Sequence, residues 1–518
     1  MTTAEKIVNK KTTLQSLLKG MLQEGVGDPA MLSVPVSGMS MDSRQLRQGD
    51  LFIACFGRNH DARDYIDMAI ANGATAVLAQ AGGEWRDSMW RGPVPVLVLD
   101  NLTAQISHLA ARFYGEPGAQ LTVTGVTGTN GKTSCTQFLA QALTKLEEPC
   151  GVIGTLGAGV YPSLDDTGYT TPGPVDVQHH LHEFLSRGAG HAVIEASSQG
   201  LHQHRLAAVP FRAAIFTNLT RDHLDYHDSM DAYGDAKKRL FLGEALRTAV
   251  VNADDPYGIT ILDALSPQVR ALTYSVSGAR ADVSVPRLEY LPAGYRAELS
   301  TPWGAAQLEG NLLGQFNISN MLAVLCALMT MPARNASEPD FSRIIQVLAA
   351  LKPVSGRMEV VGQAAGVTAV VDYAHTPDAL KSALAALRSH ADGAVHCVFG
   401  CGGNRDQGKR PMMAEVAERG ADHLVITDDN PRLEDADHII RQILLGLDDR
   451  DRAVVERDRA NAIRTAILAA QPGDIVLVAG KGHENYQDVG GQRMAFSDVA
   501  QVRLVLNERA GLQGDDTK

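Results

Sequence analysis

The chain has 518 residues, 45% hydrophobic and 20% charged with 49 glycines, a composition that excludes a disordered or fibrous protein. At about 100–200 residues per domain, such a length calls for roughly three hydrophobic cores. The formal net charge of −12 excludes a general nucleic-acid or anionic-membrane binder, which would need a basic face, but leaves room for local basic pockets around phosphates.

In chain order, the first residues, "MTTAEKIVNKKTTLQ", lack the apolar core of a signal peptide. No apolar run approaches the ~20 residues that span a bilayer. Residues 1–101 form a small α/β segment with the strands "GDLFIACFG" and "VPVLVLD". Over 102–351 the runs "LTVTGV", "CGVIGT", "HAVIEA" and "AAIFTNL" alternate with helical segments, the pattern of parallel βαβ units. One helix is clear, because Cys135, Phe138, Leu139, Ala142, Leu143 and Leu146 fall on one stripe. Residues 352–518 repeat the alternation with "TAVVDYA", "AVHCVFG", "HLVIT" and "DIVLVAG", and the closing "GLQGDDTK" reads as a frayed polar tail. The six cysteines (55, 135, 150, 326, 397 and 401) form no repeated CxxC, which favours a cytoplasmic protein with reduced thiols. Cys397 and Cys401, beside His396, lie along an apolar strand and read as buried thiols.

The sharpest chemical signal is "TGVTGTNGKTS" (124–134), between a strand and the amphipathic helix. Glycines let backbone N–H groups curl around an anion, and the helix N-terminus adds positive potential. Lys132 would reach the β/γ-phosphates of a nucleoside triphosphate, and the Thr133 hydroxyl would sit on Mg²⁺. Val126 stands where the strict phosphate-loop pattern has its first glycine, with Gly125 and Gly128 on either side. Further oxygen ligands for Mg²⁺ could come from Glu195, ending "HAVIE", and from "TNLTRDHLDYH" with Asp222, His223 and Asp225. Taken alone, these acids are equally well ordinary loop and helix-capping residues.

At "TDDNPRLED" (427–435) the chain leaves the strand "HLVIT" at its carboxyl end, where open α/β sheets bind ligands. Asn-Pro forces a turn, so Arg432 is presented by fixed backbone. The arginine either pairs with Glu434 or Asp435, or reads a carboxylate on a small ligand while the nearby acids hold it and receive ammonium groups.

Together with "MDSRQLRQGDLF", "EASSQGL", "GQFNISN", "GRME", "VDYAHTPDAL", "FGCGGNRDQGKRP" and "VAGKGHENYQ", these motifs resemble the Mur ligase family over essentially the whole chain. The resemblance implies three domains: a small N-terminal α/β domain binding UDP-MurNAc, a central P-loop ATPase with a parallel sheet, and a C-terminal Rossmann-like domain binding the amino acid. "GCGGNR" places Arg405 at the last glycine of G-x-G-x-x-G, so a dinucleotide site fails there. The motifs are most similar to those of the member that joins meso-2,6-diaminopimelate to the D-glutamate γ-carboxylate of UDP-MurNAc-L-Ala-D-Glu through an acyl phosphate, in peptidoglycan precursor synthesis. That implies a cytoplasmic monomer with ATP as co-substrate, Mg²⁺ as cofactor and no nucleic-acid partner.

By the same resemblance Gly128, Thr129, Asn130, Gly131, Lys132, Thr133 and Ser134 hold the triphosphate. Asn317 and Asn320 touch adenine, while Arg357 and Asp372, with His375 close by, reach ATP from the C-terminal domain, so that domain closure completes the site. Thr133 and Glu195 serve one Mg²⁺ and His223 a second. Lys237, in "YGDAKKRL", reads on its own as a solvated helix lysine. The resemblance makes it a carbamate formed with CO₂, a further oxygen ligand beside the metal. Met41, Ser43, Arg58, Asn59 and His60 match the uridine-nucleotide site. Tyr169, Thr170, Thr171, Ser197, Gln203 and Arg205 match the muramoyl-dipeptide positions. Arg405, Asp429, Asn430, Pro431, Arg432, Gly480 and Glu484 match those for diaminopimelate. Competing expectations are a lysine-adding ligase, a folylpolyglutamate synthetase, which needs no uridine-nucleotide domain, and a P-loop switch, for which no N-K-x-D-like base reader is present.

Overall fold

The computed structural model describes residues 12–22, 27–57, 60–291, 294–331 and 339–515. It divides into two compact units. The first is Met1–Thr127, Leu143–Ala214 and Ala236–Arg247; the second is Gly128–Ala142, Ile215–Asp235 and Thr248–Lys518.

In the first unit the strands Gly38–Ser40, Asp50–Ala54, Ala74–Gln80 and Val94–Leu99 pair in parallel, in that order, and Met89–Arg91 closes the edge antiparallel. A further group orders Gly157–Val160, Cys150–Gly154, His191–Glu195 and Thr122–Thr127. His191–Glu195 runs parallel to both neighbours, and Glu195 is in register with Val126. Its residues are buried throughout, as expected of strands covered on both faces. Glu195 is therefore delivered to the carboxyl end of a rigid strand, one step before its chain turns into the short helix Ser198–His202.

In the second unit, Thr248–Asn252, Arg270–Ser275 and Val283–Leu291 are parallel, and Gly294–Thr301 and Gly304–Gly310 extend them antiparallel. A separate six-stranded sheet has the order Glu359–Ala364, Val367–Asp372, Ile475–Ala479, Val395–Phe399, His423–Ile426, Ala453–Val455, antiparallel only at its first pair. Side chains alternate across it. Val370, Leu477, Cys397 and Leu424 pack with one helical layer, and Val371, Val476, Val398 and Val425 with the other. Four parallel strands thus end together, at Asp372, Ala479, Phe399 and Ile426, and the loops that follow carry Ala374–Thr376, Gly480–Glu484, Gly400–Arg405 and Thr427–Arg432.

The strand and helix readings from the second and third segments fall on these elements, including the helix Lys132–Lys145. The closing segment differs: the helix Asp498–Asp515 runs through most of the stretch read as a frayed tail. Its buried Val502, Val505 and Leu506 anchor the preceding turns, and the backbone ladder continues from them. Cys397 and Cys401 are buried, and desolvation pushes both thiols up to about 12.

Candidate active site

The phosphate loop is shaped by two glycines that need positive φ, Gly128 (+149°) and Gly131 (+84°). A Cβ on Gly128 would collide with Thr217 Oγ1, and one on Gly131 would stand 2.6 Å from Asn320 Oδ1. Asn218 braces the loop, its Oδ1 accepting the Asn130 N–H at 2.8 Å and its carbonyl the Thr129 N–H at 2.8 Å. Thr217 Oγ1 donates to the Asn130 carbonyl at 2.6 Å. The Thr129 hydroxyl accepts from Thr220 N at 2.9 Å and from Tyr233 OH at 3.2 Å. Lys132 Nζ folds over the loop and donates to the carbonyls of Gly128 (2.9 Å) and Thr129 (2.8 Å), which holds a cation where an anion would arrive. Thr133 and Ser134 are buried in the first turn of the helix.

Other groups of the second unit converge on this loop. Arg357 places Nη2 3.3 Å from Thr133 Oγ1 and lies over the Tyr373 ring at 4.2 Å, while its Nε is buried with no partner among the described residues. Asp372 accepts the N–H groups of Met358 (2.7 Å) and Ala374 (2.8 Å); burial raises its pKa, against the pull of Arg357. Burial, reinforced by the Lys409 charge, pushes the neighbouring His375 down to about 4, so its ring is neutral in the physiological range. Asn317 donates to the Leu313 carbonyl at 2.9 Å and leaves a buried Oδ1 with no partner among the described residues. Asn320 Oδ1 lies 3.4 Å from Cys135 Sγ. His223 adopts φ +53°, with Nε2 3.5 Å from Asp222 Oδ2. Burial pushes the Asp222 pKa up, but His223, His375 and Lys409 outweigh it and hold the carboxylate below its ordinary value.

In the first unit, Glu195 is wholly buried. Its Oε1 accepts Thr155 N–H at 2.9 Å and its Oε2 the Thr155 hydroxyl at 3.1 Å, which in turn lies 3.0 Å from Thr170 Oγ1. Thr171 Oγ1 donates to the Glu195 carbonyl (2.6 Å) and accepts Ser197 N–H (3.1 Å). Arg205 donates Nη1 to the Thr171 carbonyl at 2.6 Å and Nη2 to Gln203 Oε1 at 2.6 Å. Glu195, Thr170, Thr171, Ser197, Gln203 and Arg205 are thereby brought into one network. Tyr169 beside them is 64% exposed. Lys237, on the helix Met230–Lys238, is 1% exposed, whereas Lys238 is only half-buried, so the solvated-lysine reading fails for Lys237. Ser43 is buried, with its carbonyl accepting Asn72 Nδ2 at 2.8 Å, while Met41 and His60 are exposed on loops. Arg58 and Asn59 lie outside the described residues.

Arg432 sits where the Asn-Pro turn predicted, with φ +55°. Its N–H donates to the Asp488 carbonyl at 2.9 Å, its carbonyl accepts Gly490 N–H at 2.7 Å, and its Nη1 donates to the Gly403 carbonyl at 2.8 Å. The expectation that nearby acids hold it is overturned for Glu434, Asp428 and Asp435, which are engaged elsewhere. Glu434 forms a fork with the buried Arg410 (2.6 and 2.7 Å), Asp428 pairs with Arg457, and Asp435 caps the helix Ala436–Leu444 through Asp437 N. No carboxylate pairs with Arg432 among the described residues. Beside it, Asn430 is 1% exposed, donates Nδ2 to Glu484 Oε2 (2.8 Å), and accepts Asp488 N–H on Oδ1 (2.9 Å). Gly480, at φ +116°, brings the chain so close to Asp429 that a Cβ would stand 2.6 Å from its Oδ2. Arg405 is exposed nearby, on the loop after Phe399. Sequence reasoning missed the buried Lys481 and the buried pair Arg459–Asp498 (2.7 Å), which also fixes the Ala479 carbonyl through Arg459 Nη2 at 2.9 Å. The signal for Lys481 was its place between two glycines directly after an all-apolar strand.

Three family models match the chain: the Mur ligase family catalytic domain at residues 35–114, the Mur ligase middle domain at 126–328, and the Mur ligase glutamate ligase domain at 356–482. The UDP-N-acetylmuramoyl-L-alanyl-D-glutamate--2,6-diaminopimelate ligase of Chromobacterium violaceum is 46% identical over 91% of this chain and 95% of its own. Its namesake from Alkalilimnicola ehrlichii is 46% identical over 92% and 96%. A solved structure bearing the same enzyme name superposes with a TM-score of 0.67 at 35% identity, covering 96% of this chain and 99% of that one. A phosphate loop with its lysine and buried acids, on α/β units of this kind, defines an ATP-dependent amino-acid ligase. The chain belongs to the Mur ligase family.

Proposed function

We propose that the chain joins meso-2,6-diaminopimelate to the γ-carboxylate of D-glutamate in UDP-MurNAc-L-Ala-D-Glu, with ATP converted to ADP and phosphate. The likeness to relatives of that name supports the reaction, and one observation carries the choice of amino acid: Arg432 is held by backbone on a fixed turn, with no carboxylate of the chain paired to it among the described residues. Diaminopimelate differs from lysine by a carboxylate at the far end of its side chain. A guanidinium fork suits that group, each charge-assisted hydrogen bond contributing about 1.5–3 kcal/mol. Glu484 and Asp429 supply the acceptors for its ammonium groups, with Asn430 bracing Glu484 beside them.

The γ-phosphoryl of ATP passes to the substrate carboxylate, giving an acyl phosphate and ADP. An amine of diaminopimelate then attacks the acyl carbon, loses a proton, and the tetrahedral adduct collapses to the amide with departure of phosphate. The protein's part is positioning and charge neutralisation. Lys132 and the loop N–H groups hold the phosphates, Arg357 adds a second cation beside Thr133, and Asn317 turns an amide toward adenine. Thr133, Glu195, His223 and Lys237 as a carbamate would hold Mg²⁺. The hydroxyl and the fully buried Glu195 carboxylate are hard oxygen donors that fit this ion, and the burial of Lys237 fits a lysine that gives up its charge. The chemistry that Mg²⁺ would supply when bound is neutralisation of phosphate charge. Thr170, Thr171, Ser197, Gln203 and Arg205 hold the dipeptide, and Met41, Ser43, Arg58, Asn59 and His60 the uridine nucleotide. Functionally, residues 1–101 serve the nucleotide sugar, 102–351 ATP, and 352–518 the amino acid. We place the protein in the cytoplasm as a monomer; no helix among the described residues is long and apolar enough to cross a membrane.

The test is Arg432→Ala assayed with both amino acids. Diaminopimelate should lose most of its kcat/KM, by up to ~10⁴-fold, while the low activity on lysine changes little. Equal losses for both would make Arg432 a residue of the fold and not of selection.

A further inference from the structure

Lys481 follows the strand Ile475–Ala479 and has no exposed surface at all. Removing a lysine ammonium from water is costly unless it is paired and hydrogen-bonded. Here Nζ donates to Glu484 Oε2 at 2.8 Å and to Asn430 Oδ1 at 2.9 Å, and it faces the Tyr486 ring at 5.4 Å. Asn430 Nδ2 reaches the same Oε2 at 2.8 Å. Both donors therefore take one oxygen of the carboxylate, and among the described residues Oε1 accepts no hydrogen bond. Positive φ at Gly480 (+116°) and Gly482 (+55°) lets the chain turn on either side of Lys481, so the lysine points inward while Glu484 returns to meet it.

We propose that Lys481 is a positioning residue of the amino-acid subsite. It occupies Glu484 Oε2 and Asn430 Oδ1 so that Glu484 Oε1, rotationally fixed, is presented to an ammonium group of the incoming amino acid. The proposal rests on the reading above that Glu484 and Asn430 face that substrate. Without the lysine, the carboxylate loses a hydrogen bond and is free to rotate about its side chain. Other charged groups act on the same spot. Asp429 and Arg459 lie within electrostatic reach of Glu484 and its neighbours, as do the phenols of Tyr373 and Tyr486. Asp488 and Arg432 act on Tyr486, and His483 packs against Tyr373 at 5.3 Å.

The experiment compares the parent with Lys481→Met and Lys481→Arg in full-length protein, using ATP, the UDP-muramoyl-dipeptide and diaminopimelate. Lys481→Met should raise KM for diaminopimelate ~10–100-fold, the loss of one charged hydrogen-bond set, with KM for ATP and for the nucleotide sugar within about twofold. Lys481→Arg, which keeps a cation and donors at the same place, should return KM for diaminopimelate toward the parent value. Should Lys481→Met fail to fold, Glu484→Gln provides the second arm. It strands a buried ammonium whose folded-state pKa then falls below its unfolded value, so its stability recovers as pH rises. Its deficit in Tm against the parent should be largest near neutral pH and shrink toward pH ~10. An unchanged KM for diaminopimelate in Lys481→Met, or a Tm deficit of Glu484→Gln independent of pH, overturns the assignment. A parent that ligates no amino acid overturns the functional reading and the Lys481 role with it. A parent that ligates one normally, alongside an equally competent Lys481→Met, removes only the role of Lys481.

Discussion

Lys132 and Lys237 are both lysines on helices, and the proposed function gives them opposite tasks. Lys132 is folded onto the carbonyls of Gly128 and Thr129. Lys132→Ala should cost ~10³-fold or more in kcat at saturating ATP, because a cation beside a transferring phosphoryl is felt mainly in the transition state. Near-normal turnover in a coupled ADP-release assay would refute that role. Lys237 is buried, and the proposed function makes it the lysine that adds CO₂. Lys237→Ala should abolish ligation, and millimolar small carboxylic acids should restore a fraction by supplying the missing oxygen. An active parent whose intact mass carries no added CO₂ would exclude the carbamate. At this scale the sequence was informative where local geometry decides. Asn-Pro at the end of a strand presented Arg432, and Gly128 and Gly131 shaped the loop. It was silent where the partner is remote. The Gly403 carbonyl that holds Arg432 comes from another loop, and the Arg410 that takes Glu434 away from it from a helix, and no local pattern connects them.

Arg410 shows how elements are tied to one another. It is fully buried on the helix Lys409–Gly420 and forks onto Glu434, just before the helix Ala436–Leu444, while also reaching Gln442 at 2.6 Å. Glu434 in turn accepts Asn404 N–H at 3.0 Å, which steadies the loop whose Gly403 carbonyl holds Arg432. The Arg410 hydrogen bonds pull the Glu434 pKa down from 4.5 to about 2, so this contribution is complete above pH ~4.5 and is lost as pH falls through about 2. Glu434→Gln should destabilise the protein by about 3–5 kcal/mol at neutral pH, because it leaves a buried guanidinium without its counter-ion. Denaturant melts should show that difference narrowing in acid, and KM for diaminopimelate should rise as Arg432 loosens. A deficit that does not change with pH would assign the loss to packing alone. The strands His191–Glu195 and Ile475–Ala479 were legible because burial on both faces requires near-continuous apolar runs. Val283–Leu291, Gly294–Thr301 and Gly304–Gly310 were not, since they mix Arg, Glu and Ser with apolar residues in a half-solvated antiparallel meander. The helix Asp498–Asp515 was misjudged at its end, where Gly511 and Gly514 argue locally against a ladder that tertiary packing had already started.

At the scale of the molecule, a nucleotide-triphosphate loop, a buried acid network and an arginine-bearing amino-acid subsite occupy one chain whose three stretches each match a Mur ligase model. Each group alone fits several reactions. A phosphate loop serves switches and motors, and an arginine on a turn serves many ligands. In the proposed function their combination serves a phosphoryl acceptor that becomes an acyl donor, and an amine carrying a second carboxylate. The direct measurement is product analysis of the purified protein with ATP, Mg²⁺, the UDP-muramoyl-dipeptide and a panel of amino acids including diaminopimelate, lysine and glutamate. The expected result is one new amide per ADP released, formed with diaminopimelate at a kcat/KM at least ~10³-fold above that for lysine. ADP release without an amide, or an amide formed equally well with lysine or glutamate, would contradict it.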